Sequence, residues 1–203
     1  MINPMIQPKE VELVISYLNK NQTMLEFGCG GSTTIFPKYV KDYYSIEHNL
    51  DWYWRVQEEL IEDKIENVNL HLCDIPKEVP TAKREFWKKY DENLLYASEH
   101  LDTTIPSFED CVYPEKRYVW HEYIDYVEKF GVSEFDIVFI DGRARVDCAY
   151  KVLNYIHDES IVFIHDFWPR EQYHKVFDWY DEVVSIKETR VDMGQTIVGL
   201  KKK

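Results

Sequence analysis

Glycine and cysteine are both scarce here, with seven and four among 203 residues. Cys29, Cys73, Cys111 and Cys148 lie far apart, with no CxxC pair and no zinc-ligand spacing. That argues against a zinc module or a disulfide scaffold and for free thiols in a reducing compartment. Cys29 and Cys73 fall at expected strand ends, where small buried residues fit. No stretch approaches the roughly 18 apolar residues of a membrane-spanning helix. The N-terminus has no charged start followed by a sufficient apolar run, as a secretory leader would. The expectation is a soluble, cytoplasmic protein with no membrane partner. Basic charge is also in deficit: 24 Lys and Arg against 37 Asp and Glu give a formal charge of −13. Without a net basic field to recruit a polyanion, nucleic acid is disfavoured as the main partner.

What is present suits one globular domain over 1–203. Hydrophobic residues make up 45% and aromatic residues 15%, enough for a full core. Fifteen Tyr and six Trp exceed what a core readily takes, so some are expected to line a surface or cleft.

Three of the seven glycines fall within four positions, in Met24-Leu25-Glu26-Phe27-Gly28-Cys29-Gly30-Gly31-Ser32-Thr33-Thr34. An apolar strand that ends in glycines and turns into a helix exposes backbone N–H groups. It also lets a ligand approach the backbone, because no Cβ intervenes. Ser32 or Thr33 can cap the helix. Nineteen residues beyond Gly28, a second apolar stretch ends in Glu47, placed to accept hydrogen bonds from ribose hydroxyls.

Along the chain, apolar spacing predicts a helix over Pro8–Leu18, then the glycine-turn strand and a short helix stopped by Pro37. A strand over Asp42–Glu47 follows. A helix capped by Asn49 or Asp51 runs to Glu62, and Val68–Leu72 reads as a third strand ending at Cys73-Asp74. Ile75–Tyr118 breaks the alternation. It carries four prolines and many aromatic residues, and reads as a substrate-covering insertion with one helix over Thr81–Asn93. Beyond it come a helix over Tyr118–Phe130 stopped by Gly131, a strand over Phe135–Ile140 and a helix over Ala144–Ile156. A strand over Ser160–Ile164, a helix over Pro169–Tyr180 and an antiparallel pair, Val183–Lys187 with Gln195–Leu200, complete the series. Lys201–Lys203 reads as a solvated end. Strands alternating with helices imply an α/β, doubly wound, mostly parallel sheet.

Glu26-Phe27-Gly28-Cys29-Gly30 resembles the E/D-x-G-x-G motif of class I S-adenosylmethionine (SAM)-dependent methyltransferases. A dinucleotide fingerprint would need glycine where Thr33 stands. The resemblance implies a Rossmann-like sheet of seven strands in the order 3-2-1-4-5-7-6, with strand 7 antiparallel. It implies SAM as cofactor, bound by Glu26, Gly28, Gly30, Ser32, Thr33 and Glu47, with Asp74 facing the adenine.

The other expected strand ends, Asp141 and His165-Asp166, should face the methyl group. Methyl transfer is an in-line displacement on a sulfonium, so the enzyme positions the acceptor and, for an alcohol, removes its proton. His165, with an ordinary pKa near 6.5, is the expected neutral base, and Asp166 could orient it or act itself. Asp141 and Asp166 could instead share magnesium or manganese, as resemblance to metal-dependent catechol-type and sugar O-methyltransferases implies. His165-Asp166-Phe167 stands where the catechol-type pattern has an Asp-Asn pair, and a third ligand stays unassigned. Arg143 and Arg145 suit bidentate capture of an acidic substrate, or an ion pair with Asp141 or Glu26.

Phe139–Val146 and His165-Asp166-Phe167-Trp168 look like a subgroup of class I methyltransferases of glycan modification, including enzymes of large DNA viruses. That resemblance implies O-methylation of a sugar or oligosaccharide hydroxyl, such as that of a deoxyhexose like rhamnose. The D/N-P-P-Y motif of amino-group methylation is absent. Other readings are a small-molecule or phenolic O-methyltransferase and a catalytically silent SAM-binding subunit.

Overall fold

The computed structural model describes residues 2, 5–73, 120, 122–187 and 196–203. Asp74, the expected insertion at 75–118 with its helix, and the turn before the last strand lie outside the described residues.

Seven strands form one sheet: β1 (Thr23–Phe27), β2 (Asp42–Glu47), β3 (Val68–Leu72), β4 (Phe135–Ile140), β5 (Ile156–His165), β6 (Tyr180–Ile186) and β7 (Ile197–Lys202). Their order is β3-β2-β1-β4-β5-β7-β6. The first five are parallel, and β7 runs antiparallel to both β5 and β6. This is the expected Rossmann-like order.

Strand alternation divides the core between the two faces. Leu25, Phe27, Val138, Ile140, Val162 and Ile164 face one side, packing with Tyr123, Ile124 and the helix α4 (Arg145–Val152). Met24, Ile137, Phe139, Ile161 and Phe163 face the other, against α1 (Pro8–Ile15) and Phe36 beyond α2 (Ser32–Ile35). The long helix α3 (Leu50–Glu62) buries Val56 and Leu60 beside Cys29. Asn49 caps it, its side chain accepting from Asp51 N at 2.9 Å and Trp52 N at 3.1 Å.

Register sets the position of the site. Phe27 pairs with both Ile46 and Ile140, and Ile140 pairs with Ile164. The next residues, Gly28, Glu47, Asp141 and His165, therefore lie level along one edge of the sheet. Strand order reverses at β1, and a crevice opens at the carboxyl ends there.

Several expected boundaries move. The first helix ends at Ile15, and the expected Ala144–Ile156 helix is only Arg145–Val152. β5 starts early, at Ile156: Phe135 pairs with Ile156 but Ile137 pairs with Ile161. Ser160 holds this irregularity, donating to Phe135 O at 2.7 Å and accepting from His157 N at 3.0 Å. Residues 122–125 are helical, then Tyr126–Phe130 tightens to a 3-10 helix that ends at Gly131 in the left-handed region. Glu171–Asp178 is also 3-10. Tyr180 leaves it to begin β6, its hydroxyl donating to Ala149 O at 2.6 Å. Lys201 and Lys202 belong to β7 rather than to a solvated end, and Lys201 pairs with Glu159 at 2.7 Å.

Candidate active site

A cleft of about 510 Å³ opens at the level edge, between the β1 loop and the ends of β2, β4 and β5. Its first half is built on Gly28, whose φ is +90° and whose N–H donates to Ile46 O at 2.8 Å. A Cβ on Gly28 would stand 2.5 Å from Gly142 Cα, so the β1 and β4 loops touch backbone to backbone. A Cβ on Gly30 would meet nothing within 4 Å among the described residues. Gly28, Gly30, Ser32 and Glu47 all line the cleft.

Glu26 and Thr33 sit beneath it. The Glu26 carboxylate is fully buried and accepts from Ser32 Oγ at 2.5 Å, Thr33 Oγ1 at 2.6 Å and Ser45 Oγ at 2.7 Å. Burial pushes its pKa up to about 7, against the pull of those hydroxyls. Thr33 Oγ1 in turn accepts from Gly30 N at 2.9 Å. Glu26 thus braces the loop from below instead of lining its ligand face. The expectation that Ser32 or Thr33 caps the helix needs correcting: Gly31 holds that position, and both hydroxyls turn toward Glu26.

Glu47 is almost wholly buried at the end of β2. Its Oε2 accepts from Cys29 N at 2.8 Å, and its Oε1 from His48 N at 2.8 Å and Asn49 N at 2.6 Å. Burial would raise its pKa, but the His48 ring 3.0 Å away and these N–H donors hold it below the ordinary value. It is an ionised acceptor at neutral pH, held against the same loop that carries Gly28 and Gly30.

The second half of the cleft gathers Asp141, Arg143, Arg145, His165 and Asp166. His165 is 2% exposed, its Nδ1 2.8 Å from Asp141 Oδ1 and its Nε2 3.5 Å from Glu10 Oε2. Burial alone would lower its pKa; Asp141 above all, with Glu10 and Asp166, raises it to about 10. These carboxylates favour the charged ring, which leaves His165 a weaker proton acceptor than the expected neutral base. Asp141 is held below the ordinary carboxylate range, the cost of burial being outweighed by His165 and Arg145. Asp166 follows β5 with φ +53°, an uncommon backbone state that Asp tolerates and that recurs at functional sites.

Arg145 takes the structural one of its two expected roles. Its Nε donates to Gly142 O at 2.9 Å, its Nη2 to Asp141 O at 3.1 Å, and its Nη1 to His165 O. Nη2 also lies 3.4 Å from Asp141 Oδ1 and 3.5 Å from Asp166 Oδ2. This guanidinium ties the β4 loop to the end of β5 and has no free fork for a substrate. Arg143 lines the cleft itself.

Asp141, His165 and Asp166 each bring a ligand atom within 4.8 Å of the others, so the structure supplies His165 as the missing third donor for a hard cation. Charge opposes the fit. The Arg145 guanidinium, fixed by three carbonyls, already stands against both carboxylates, where it would repel a cation. These residues do not fit a divalent ion as arranged.

Met5, Ile6, His48 and Trp52 also line the cleft, and Glu10 backs His165. No sequence signal marks Met5 or Ile6, whereas Trp52 was discoverable as the first-turn residue of a helix starting at the cofactor edge. Among the described residues no helix is long and apolar enough to cross a membrane.

No protein-family model and no curated protein sequence matches the chain. Solved structures do. A methyltransferase-like protein from Silicibacter pomeroyi has a TM-score of 0.67 at 20% identity, covering 100% of this chain and 90% of its own. A protein from Streptococcus mutans, solved in complex with SAH, has a TM-score of 0.58 at 12% identity, with 100% of both chains covered. An rRNA methylase from Streptococcus thermophilus has a TM-score of 0.60 at 10% identity, over 100% of this chain and 98% of its own. At such identities the likeness shows the fold: this chain has the Rossmann-like methyltransferase fold.

Proposed function

We propose that the protein is a SAM-dependent methyltransferase of one domain acting on a hydroxyl, and that its acceptor is a sugar in a glycan. The observation that carries the reading is the facing pair of features across one cleft: the bare Gly28–Gly30 backbone with Glu47, and Asp141 with Asp166. Glu47 would accept from the ribose hydroxyls of SAM, and the open space above Gly30 would admit the cofactor against the backbone. The complex of the Streptococcus mutans protein with SAH supports this choice of cofactor.

The methyl carbon is already activated by the sulfonium, so the chain's residues align the acceptor oxygen and take its proton. With His165 the weaker proton acceptor, Asp166 is the base: its carboxylate lines the cleft and stays partly exposed. The sugar is favoured by hydrogen-bonding groups lining the transfer half and by the net charge of −13, which disfavours polyanions. The test is transfer of labelled methyl from SAM to a panel of oligosaccharides, phenols and RNA. Methylated oligosaccharide, lost in Asp166→Asn and unchanged by EDTA, is the expected result. Transfer to phenols or RNA alone would contradict the acceptor. SAM binding with no turnover on any of them would favour a silent binding subunit.

A further inference from the structure

One buried acid has no part in the mechanism above. Glu10, in the first turn of α1, is 1% exposed and does not line the cleft. Its Oε2 accepts from Gln7 N at 2.8 Å, one half of a reciprocal capping box. That is ordinary helix-start chemistry and is normally solvated. Here the carboxylate is removed from water; among the described residues neither its Oε1 nor His165 Nε2 has a hydrogen-bond partner, and its Oε2 lies 3.5 Å from that nitrogen. A buried carboxylate is costly unless both of its oxygens are paired or hydrogen-bonded. The partner available is the His165 ring, whose other nitrogen is 2.8 Å from Asp141 and 3.8 Å from Asp166.

The placement follows from strand alternation. Ile161 and Phe163 point to the face that carries the core under α1. His165, two residues further, points the same way, so its ring runs from the cleft edge back toward α1. One end of the imidazole meets the cleft carboxylates, and the other end meets Glu10. Turning the ring over would exchange Nδ1 with a carbon and Nε2 with a carbon, and both ion pairs would be lost together.

We propose that Glu10 is a positioning residue for the transfer site. It holds the His165 ring from behind, so that Nδ1 stays on Asp141 and fixes that carboxylate in place at the cleft wall. The acceptor then meets Asp166. The functional consequence rests on the methyl-transfer reading, whereas the clamp itself does not depend on it.

The test uses the full chain, 15N-labelled, with the His165 ring nitrogens observed by long-range 1H–15N correlation and assigned with His165→Gln. In Glu10→Ala and Glu10→Gln the His165 Nδ1 and Nε2 signals are expected to shift well beyond the line width or to broaden. Gln7→Ala, which removes only the side-chain half of the capping box, is expected to leave them in place. Binding of S-adenosylhomocysteine is expected to be unchanged in all three, because Glu10 does not reach the cofactor half. If His165 signals in folded Glu10→Gln coincide with wild type, the clamp is wrong and Glu10 only caps α1. Glu10→Gln keeps the side-chain volume and serves where Glu10→Ala fails to fold. Absence of S-adenosylhomocysteine binding in wild type would overturn the methyl-transfer reading and leave the ring signals to decide the clamp.

Discussion

Gly28 and Gly142 touch: a Cβ on Gly28 would lie 2.5 Å from Gly142 Cα, and a Cβ on Gly142 would lie 3.0 Å from Gly28 Cα. The contact closes the β1 loop onto the β4 loop at the point where the sheet reverses its order. Gly142 is further confined by the Tyr123 hydroxyl, 2.0 Å from its Cβ position. Gly28 also has φ +90°, which strains any side chain. Both Gly28→Ala and Gly142→Ala should therefore cost more than about 2 kcal/mol in urea unfolding. Near wild-type stability in either variant would contradict the close approach.

Gly30 separates folding from binding. Its Cβ position is open among the described residues, so Gly30→Ala should unfold within about 1 kcal/mol of wild type. The added methyl projects at the cleft wall, and S-adenosylhomocysteine affinity measured by calorimetry should fall about tenfold or more. Unchanged affinity would place the cofactor elsewhere.

The buried Glu26 makes stability depend on pH. Its folded pKa of about 7 lies above its ordinary value of 4.5, so the folded state holds the proton more tightly. Stability from this group is full below its unfolded pKa and falls as pH rises toward its folded pKa, by about 3 kcal/mol in total. Glu26→Gln cannot lose a proton and should gain on wild type by that order between pH 4.5 and about pH 8. A stability difference that stays constant across this range would contradict an ionising, buried Glu26.

Arg145→Lys keeps the charge and loses the fork. Lys cannot reach the Gly142, Asp141 and His165 carbonyls together, and two carboxylates lose a fixed counter-charge. The expected loss in chemical denaturation is about 3 kcal/mol. A fully stable variant would show that the guanidinium is not the tie between β4 and β5.

Much of the fold was legible because the strands announce their own ends. β2, β3 and β4 run as read, each an apolar or alternating stretch closed by a polar residue or glycine. The places of Glu47 and Asp141 at strand ends were legible for the same reason. β5 was misread at its start, because Asp158 and Glu159 look like loop and only the Ser160–Phe135 bond shows how the chain stays in the sheet. His165 was found, but its protonation was not. That depends on Asp141 and Glu10, which lie 24 and 155 residues away in sequence. Glu10 itself looks like an unremarkable helix-start acid until α1 is packed under β5.

The most direct test of the central claim is isothermal calorimetry with SAM and S-adenosylhomocysteine on wild type and on Glu47→Gln, with thermal unfolding as a fold check. Binding in the micromolar range, weakened about a hundredfold in a folded Glu47→Gln, is the predicted result. No binding by folded wild type shown to carry no co-purified cofactor, or equal binding by the variant, would contradict it.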